Sequence, residues 1–179
     1  MRTILLLGFL ATTALAQDAP VINFDFSQAN RGGSIGLDCR DAGGGTSARA
    51  ATRKLEVNLG NSGRQPYNGT LDVLWIGKDK QGRQFLFHRE ATAAAVPASF
   101  RDKKILEMPP LKYYDFSGWA VILRDGEKIQ RLQASSQSIS DFLKTPTFTK
   151  SLEEFEGKRR SEERIRQWRL DNGVATAPQ

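Results

Sequence analysis

Arg53-Lys54-Leu55-Glu56-Val57-Asn58-Leu59 sets the pattern that decides the fold. Leu55, Val57 and Leu59 alternate with Lys54, Glu56 and Asn58, and a period of two places the apolar side chains on one face of a strand and the polar ones on the other. The same period returns at Leu71, Val73 and Trp75, at Phe85 and Phe87, and at Trp119, Val121 and Leu123. Each run is half-buried by this reading.

The runs are separated by turn chemistry. Residues 61–68 are rich in Gly, Ser, Pro and Asn, residues 78–82 form a polar turn, and Asp125-Gly126 stands between two alternating runs. Asp-Gly in that setting predicts a tight hairpin with positive φ at both central residues. Residues 21–26 and 34–38 are further strand candidates, separated by Arg31-Gly32-Gly33. Residues 41–47, with three consecutive glycines, read as a loop, residues 91–98 as an alanine-rich connection, and residues 100–108 as a strand ended by Pro109-Pro110. The fold class expected is mainly β, an immunoglobulin-like antiparallel β-sandwich of about seven or eight strands with a charged C-terminal helix.

Outside this region the texture changes. Residues 1–16 have a basic start, a short apolar run and Ala14-Leu15-Ala16, the pattern of a secretory signal peptide cleaved after Ala16. The run is shorter than the ~20 residues a spanning helix needs. Gly8-Phe9-Leu10 lacks the glutamate five residues on that marks type IV prepilins, since Thr13 stands there, and no cysteine follows for lipidation. The expected organisation is signal peptide 1–16, sandwich 17–135, and a helical segment with a disordered tail over 136–179. The location expected is periplasmic, outer-membrane-associated or secreted, with no transmembrane segment after cleavage.

In the C-terminal segment Ser138 is the expected cap of a short helix over 139–143, stopped before Thr145-Pro146. Ser151 and Glu154 read as a capping box opening a second helix to Asp171, laced by Glu154–Lys158, Glu156–Arg160 and Glu162–Arg166 at i,i+4. Leu152 and Phe155 share a side of this helix, whereas Ile165 and Trp168 fall on another.

Chemistry is sparse. His88 is the one histidine among 179 residues, so no histidine-rich metal site and no cofactor site is expected. Asp72, Asp79, Asp102, Glu107, Asp115 and Asp125 read as acids in turns or at outward strand positions, without the fixed pairing that glycoside hydrolysis uses. Gly77-Lys78 lacks the earlier glycine and the following Ser or Thr of a phosphate loop. Cys39, the single cysteine, reads as a small buried hydrophobe. The net charge of +6 falls by one on loss of Arg2 with residues 1–16, a mildly basic balance that attracts acidic surfaces. Nucleic acid is not an expected partner.

Leu55-Glu56-Val57-Asn58-Leu59-Gly60-Asn61, Leu71-Asp72-Val73-Leu74-Trp75 and Gly118-Trp119-Ala120-Val121 with Asp125-Gly126 together resemble small immunoglobulin-like envelope domains. The nearest overall likeness is to exported proteins of verrucomicrobial-type bacteria, some encoded beside type IV pilus-like machinery. The paired cysteines of antibody-type domains are missing. The resemblance implies a non-enzymatic protein that binds another envelope component, in a pilus-associated accessory role, through an edge strand or the charged helix. The alternatives are a carbohydrate-binding module or adhesin, and then a glycan-directed hydrolase. Contact residues expected on these readings are Tyr113, Tyr114 and Phe116 in the loop after Pro110, and Ile165 and Trp168 on the helix.

Overall fold

A computed structural model of the chain describes residues 24–30, 33–42, 53–111 and 114–172. The expected signal peptide and most of the glycine loop lie outside these residues. Seven strands form two antiparallel sheets, a sandwich of the immunoglobulin-like kind. The three-stranded sheet runs β1 (Ile35–Asp41), β2 (Lys54–Asn61), β5 (Phe100–Glu107). The four-stranded sheet runs β4 (Gln84–Val96), β3 (Tyr67–Lys78), β6 (Asp115–Asp125), β7 (Lys128–Ala134). Two helices follow, α1 (Gln137–Leu143) and α2 (Pro146–Asp171).

The period of two works as the sequence implies. Leu55, Val57 and Leu59 from one sheet meet Leu71, Val73, Trp75, Trp119, Val121 and Leu123 from the other in a first core. The four-stranded sheet is covered on its second face too. Leu74, Ile76, Ala120 and Ile122 point away from the first core and pack with Ile139, Phe142, Phe148 and Leu152 of the helices. Continuous apolar runs at 73–76 and 119–123 are therefore the mark of strands buried on both faces.

Phe148 is the keystone of this helical layer, 2% exposed and ringed by Phe24, Phe26 and Phe142 at centroid distances of 6.4, 6.2 and 5.7 Å. Residues 24–26 thus close the second core; of the strand expected over 21–26, residues 21–23 lie outside the described residues, and 24–26 are not strand but lead into a 3-10 turn over Phe26–Gln28. Asp25 caps the turn by accepting from the Ser27 N–H. Gly118 lets α1 sit close, because a Cβ there would stand 2.3 Å from Ser135 Oγ and 2.8 Å from Ile139 Cγ1.

Several elements depart from the sequence reading. Residues 91–96 are strand, not connection: Ala91 to Val96 pair residue for residue with β3, and cross-strand pairing overrides the weak strand preference of alanine. At the β6–β7 turn Asp125 is the last strand residue and Gly126 alone takes positive φ, 57°. One positive φ, at the first loop position, is the pattern of a II′ turn rather than I′. Ser136, not Ser138, caps α1. Thr145 caps α2, its Oγ accepting from the Phe148 N–H, and Pro146 occupies the first helical position, where a proline fits because its N–H has no helical partner anyway. The proline that stops one helix starts the next.

Side-chain amides occupy two of the four sheet edges at single points. Gln133 pairs with the backbone of Cys39, accepting from its N–H and donating to its carbonyl, each at 2.9 Å. Asn30 does the same for Leu132 at 3.0 Å. These residues occupy the free hydrogen-bonding groups of β1 and β7 at those points, which limits strand addition there. Cys39 itself is buried, and burial pushes its thiol up to about 12. The reactive thiolate is thus suppressed at neutral pH. Iodoacetamide is expected to leave Cys39 unlabelled in the native protein and to label it fully in 6 M guanidinium, as read by intact mass; rapid native labelling would contradict this burial.

Candidate functional site

Four charged side chains are sunk between the four-stranded sheet and α2. Asp72 projects from β3 into the helical layer and is 0% exposed, which corrects its expected place among solvated acids. One carboxylate oxygen accepts from Arg89 at 2.5 Å and the other from Arg124 at 2.6 Å. Arg89 reaches on to Glu156 of α2 at 2.6 Å, and Glu156 accepts from Arg159 at 3.1 Å through its second oxygen. Arg159 then meets Glu163 at 3.3 Å. The sequence runs positive, negative, positive, negative, positive, negative from Arg124 to Glu163, so the charge is balanced. Glu156 faces the sheet, with Arg89 on one oxygen and Arg159 on the other.

Chemically this assembly is closed. Every oxygen of Asp72 and Glu156 is held by a guanidinium, which leaves no carboxylate poised as acid or base. Its effect is mechanical: it bolts the first half of α2 to the sheet in one register. Ser151, read from sequence as a cap, serves the same end from inside the helix, its Oγ accepting the Leu86 N–H at 2.8 Å.

Beyond that bolt α2 leaves the body. Residues 161–172 are all exposed, about 18 Å of helix at 1.5 Å per residue. Ile165 is 53% exposed, Trp168 60% and Leu170 59%. At about 100° per residue, Ile165 and Trp168 lie on one narrow stripe, with Arg164 and Arg169 on its two sides. Phe148, Leu152 and Glu156 lie about 150° away around the axis. The stripe therefore faces away from the protein's own sheet, which is why nothing in the domain covers it. Residues 158–171 carry six basic side chains, Lys158, Arg159, Arg160, Arg164, Arg166 and Arg169, against Glu162, Glu163 and Asp171.

The other expected contact residues separate. Tyr113 lies outside the described residues. Tyr114 is 50% exposed and meets Phe85 edge-to-face at 4.8 Å. Phe116 turns inward, packed on Trp75 at 6.3 Å and covered by the Arg53 guanidinium at 4.4 Å. It belongs to the first core, because its strand register places it on the same face as Trp75. The expected aromatic platform is thus not assembled around Phe116. His88, at its strand position, packs edge-to-face on Phe155 of α2, and burial lowers its pKa. Among the described residues no group of three His, Cys, Asp or Glu side chains is placed to hold a metal ion. No helix among them is long and apolar enough to cross a membrane.

No family model matches the chain, and no curated protein matches it. Solved structures with partial likeness include red sea bream transglutaminase, at 14% identity and a TM-score of 0.41 over 58% of this chain. The chain spans 16% of that transglutaminase. A structural-genomics target is 12% identical, with a TM-score of 0.33, over 56% of this chain and 84% of its own. DesR, a β-glucosidase from Streptomyces venezuelae solved with D-glucose, is 10% identical, with a TM-score of 0.31, over 55% of this chain and 14% of its own.

Proposed function

We propose that the protein is a non-enzymatic exported domain that docks on another envelope protein through the projecting half of α2. The observation that carries this reading is the exposed Ile165–Trp168 stripe, flanked by arginines and turned away from the sheet to which the same helix is bolted. An isolated helix of three to four turns is marginal in water, so this one is presented at the expense of burial it does not receive from its own domain. Tryptophan and arginine are the side chains that most often anchor interfaces. The projecting residues 161–172 balance Arg164, Arg166 and Arg169 against Glu162, Glu163 and Asp171, so the partner surface that fits is a groove that takes the indole, with polar groups at its rim to meet both signs of charge.

At three of the four sheet edges strand addition is limited, because β1 and β7 are met by Gln133 and Asn30 and β4 gives its Leu86 N–H to Ser151, which leaves β5 as the open edge beside the helix. A pilus-associated role is one setting in which such an accessory domain would serve. The test is site-specific photo-crosslinking in producing cells, with the photoreactive residue placed at 168 on the stripe or at 167 on the back of the helix. An adduct of one defined size from 168 and none from 167 is the expected result; equal or absent labelling at the two positions contradicts the reading.

A further inference from the structure

We propose a second binding site, for an anionic sugar, in the open groove across the end of the three-stranded sheet. It is about 620 Å³, within the range of roughly 300–1,000 Å³ typical of small-ligand sites. It stands apart from α2 and does not depend on the docking reading.

The floor is bare backbone. Gly36 and Gly60 face each other in register on the outer side of β1 and β2. Packing does not demand either glycine: a Cβ on Gly36 would come no nearer than 3.6 Å to another heavy atom, and one on Gly60 no nearer than 3.9 Å. Neither has the positive φ that favours glycine. A strand glycine costs about 0.5–1 kcal/mol relative to alanine, so the flat floor is kept at a loss that the fold itself does not explain.

Phe100, 53% exposed at the start of β5, stands at the end of the groove, and its register beside Asn61 turns its ring to the opposite face of the sheet from Gly60 and Arg101. It is presented by Ser99, a non-glycine residue at φ 57°. Ser99 belongs to the turn over residues 98–99 that joins β4 to β5, and its left-handed backbone serves that turn. Ser99 also lines the groove.

The charge of the groove is of one sign. Arg101 and Arg131 line it and no acidic residue does, among the described residues. Arg131 is held at the rim, donating to the Gly33 carbonyl at 3.1 Å and the Gln130 carbonyl at 2.9 Å. Arg101 differs from its neighbours on the same outer face. Arg40 and Lys103 are both paired with Glu56, at 2.6 and 2.7 Å, and Lys54 with Glu107 at 2.7 Å. The hydrogen bonds from Lys103, Asn58 and Arg40 hold Glu56 down at about 2, so that site stays neutralised near neutral pH. Arg101 has no ion-pair partner among the described residues and lines the groove beside Gly60.

A flat floor, serine hydroxyls and two guanidinium groups match a saccharide that bears carboxylate or sulfate. The floor lets a flat sugar ring lie against the backbone, the hydroxyls of Ser34 and Ser62 take its hydroxyls, and the arginines take the anion. The open ends suit a chain of sugars rather than a single one.

The test is titration calorimetry of the intact protein with tetragalacturonate and, separately, a heparin-derived tetrasaccharide. Maltotetraose is the neutral control and tetraglutamate the non-sugar polyanion. Binding of one or both acidic sugars, with neither control bound, is expected, and the sugar that binds better identifies carboxylate or sulfate as the anion. Arg101→Ala is expected to weaken binding about tenfold or more. Gly60→Ala, whose Cβ would come no nearer than 3.9 Å to another heavy atom, is expected to weaken it at least about threefold while the thermal midpoint stays in place. Trp168→Ala is expected to bind as the native protein does, which separates this site from the helix. Absence of acidic-sugar binding, equal binding of tetraglutamate, or unchanged affinity in both groove variants would each overturn the proposal.

Discussion

Asp72→Ala is expected to lower the unfolding free energy by about 3–5 kcal/mol, the range for removing one partner of a buried ion pair. Asp72 is fully buried and its two oxygens satisfy Arg89 and Arg124, which are themselves 7% and 12% exposed. Without it two guanidinium groups stay in the interior with their acceptor gone. For a chain of this size, at roughly 2–4 °C per kcal/mol, the thermal midpoint is expected to fall by about 6–20 °C. The loss is specific to burial. Half-molar salt, which screens surface pairs, is not expected to reproduce it in the native protein. Urea melts of the two proteins check both statements, and a variant within 1 kcal/mol of the native protein would show that the network is not what fixes α2.

The second large effect falls on association and spares the fold. Ile165→Ala combined with Trp168→Ala removes two side chains that are 53% and 60% exposed. No native packing is lost, so the thermal midpoint is expected to stay within about 1–2 °C, as for other surface changes. Partner affinity is expected to fall at least about thirtyfold, which corresponds to roughly 2 kcal/mol, the threshold for an interface hot spot. Measured as loss of the adduct from a photoreactive residue at Ser161, on the same stripe, the double variant separates docking from stability. A large drop in midpoint would mean that these residues pack on the domain after all.

The strands were readable because a half-buried strand has to alternate. Leu55, Val57 and Leu59 needed no context to be assigned to one face. The third layer was hidden in the same residues. Leu74, Ile76, Ala120 and Ile122 interrupt the alternation, and only a second cover on that face explains them. Asp72 was misread because an acid between two apolar strand residues looks like an outward position, and the strand period is indeed kept. What period cannot reveal is that helices lie on that outward face and that Arg89 and Arg124, distant in sequence, converge there.

Thr145-Pro146 illustrates the same limit, since proline both ends a helix and favours the first position of another. Ile165 and Trp168 were legible as a stripe off the main face, because helical spacing alone separates them from Leu152. Their exposure depended on where α2 leaves the sheet, which no local pattern encodes. The groove at Gly36, Gly60 and Arg101 gave no sequence signal at all, as its residues come from three strands whose register only the fold supplies.

The most direct measurement of the account is the crosslinking contrast between positions 168 and 167 in producing cells, followed by mass spectrometry of the adduct. The account predicts one exported protein joined from position 168, with the crosslinked peptide in a concave surface, and nothing joined from 167. Adducts of equal yield from both positions, or a protein recovered alone from 168 as from 167, would contradict it.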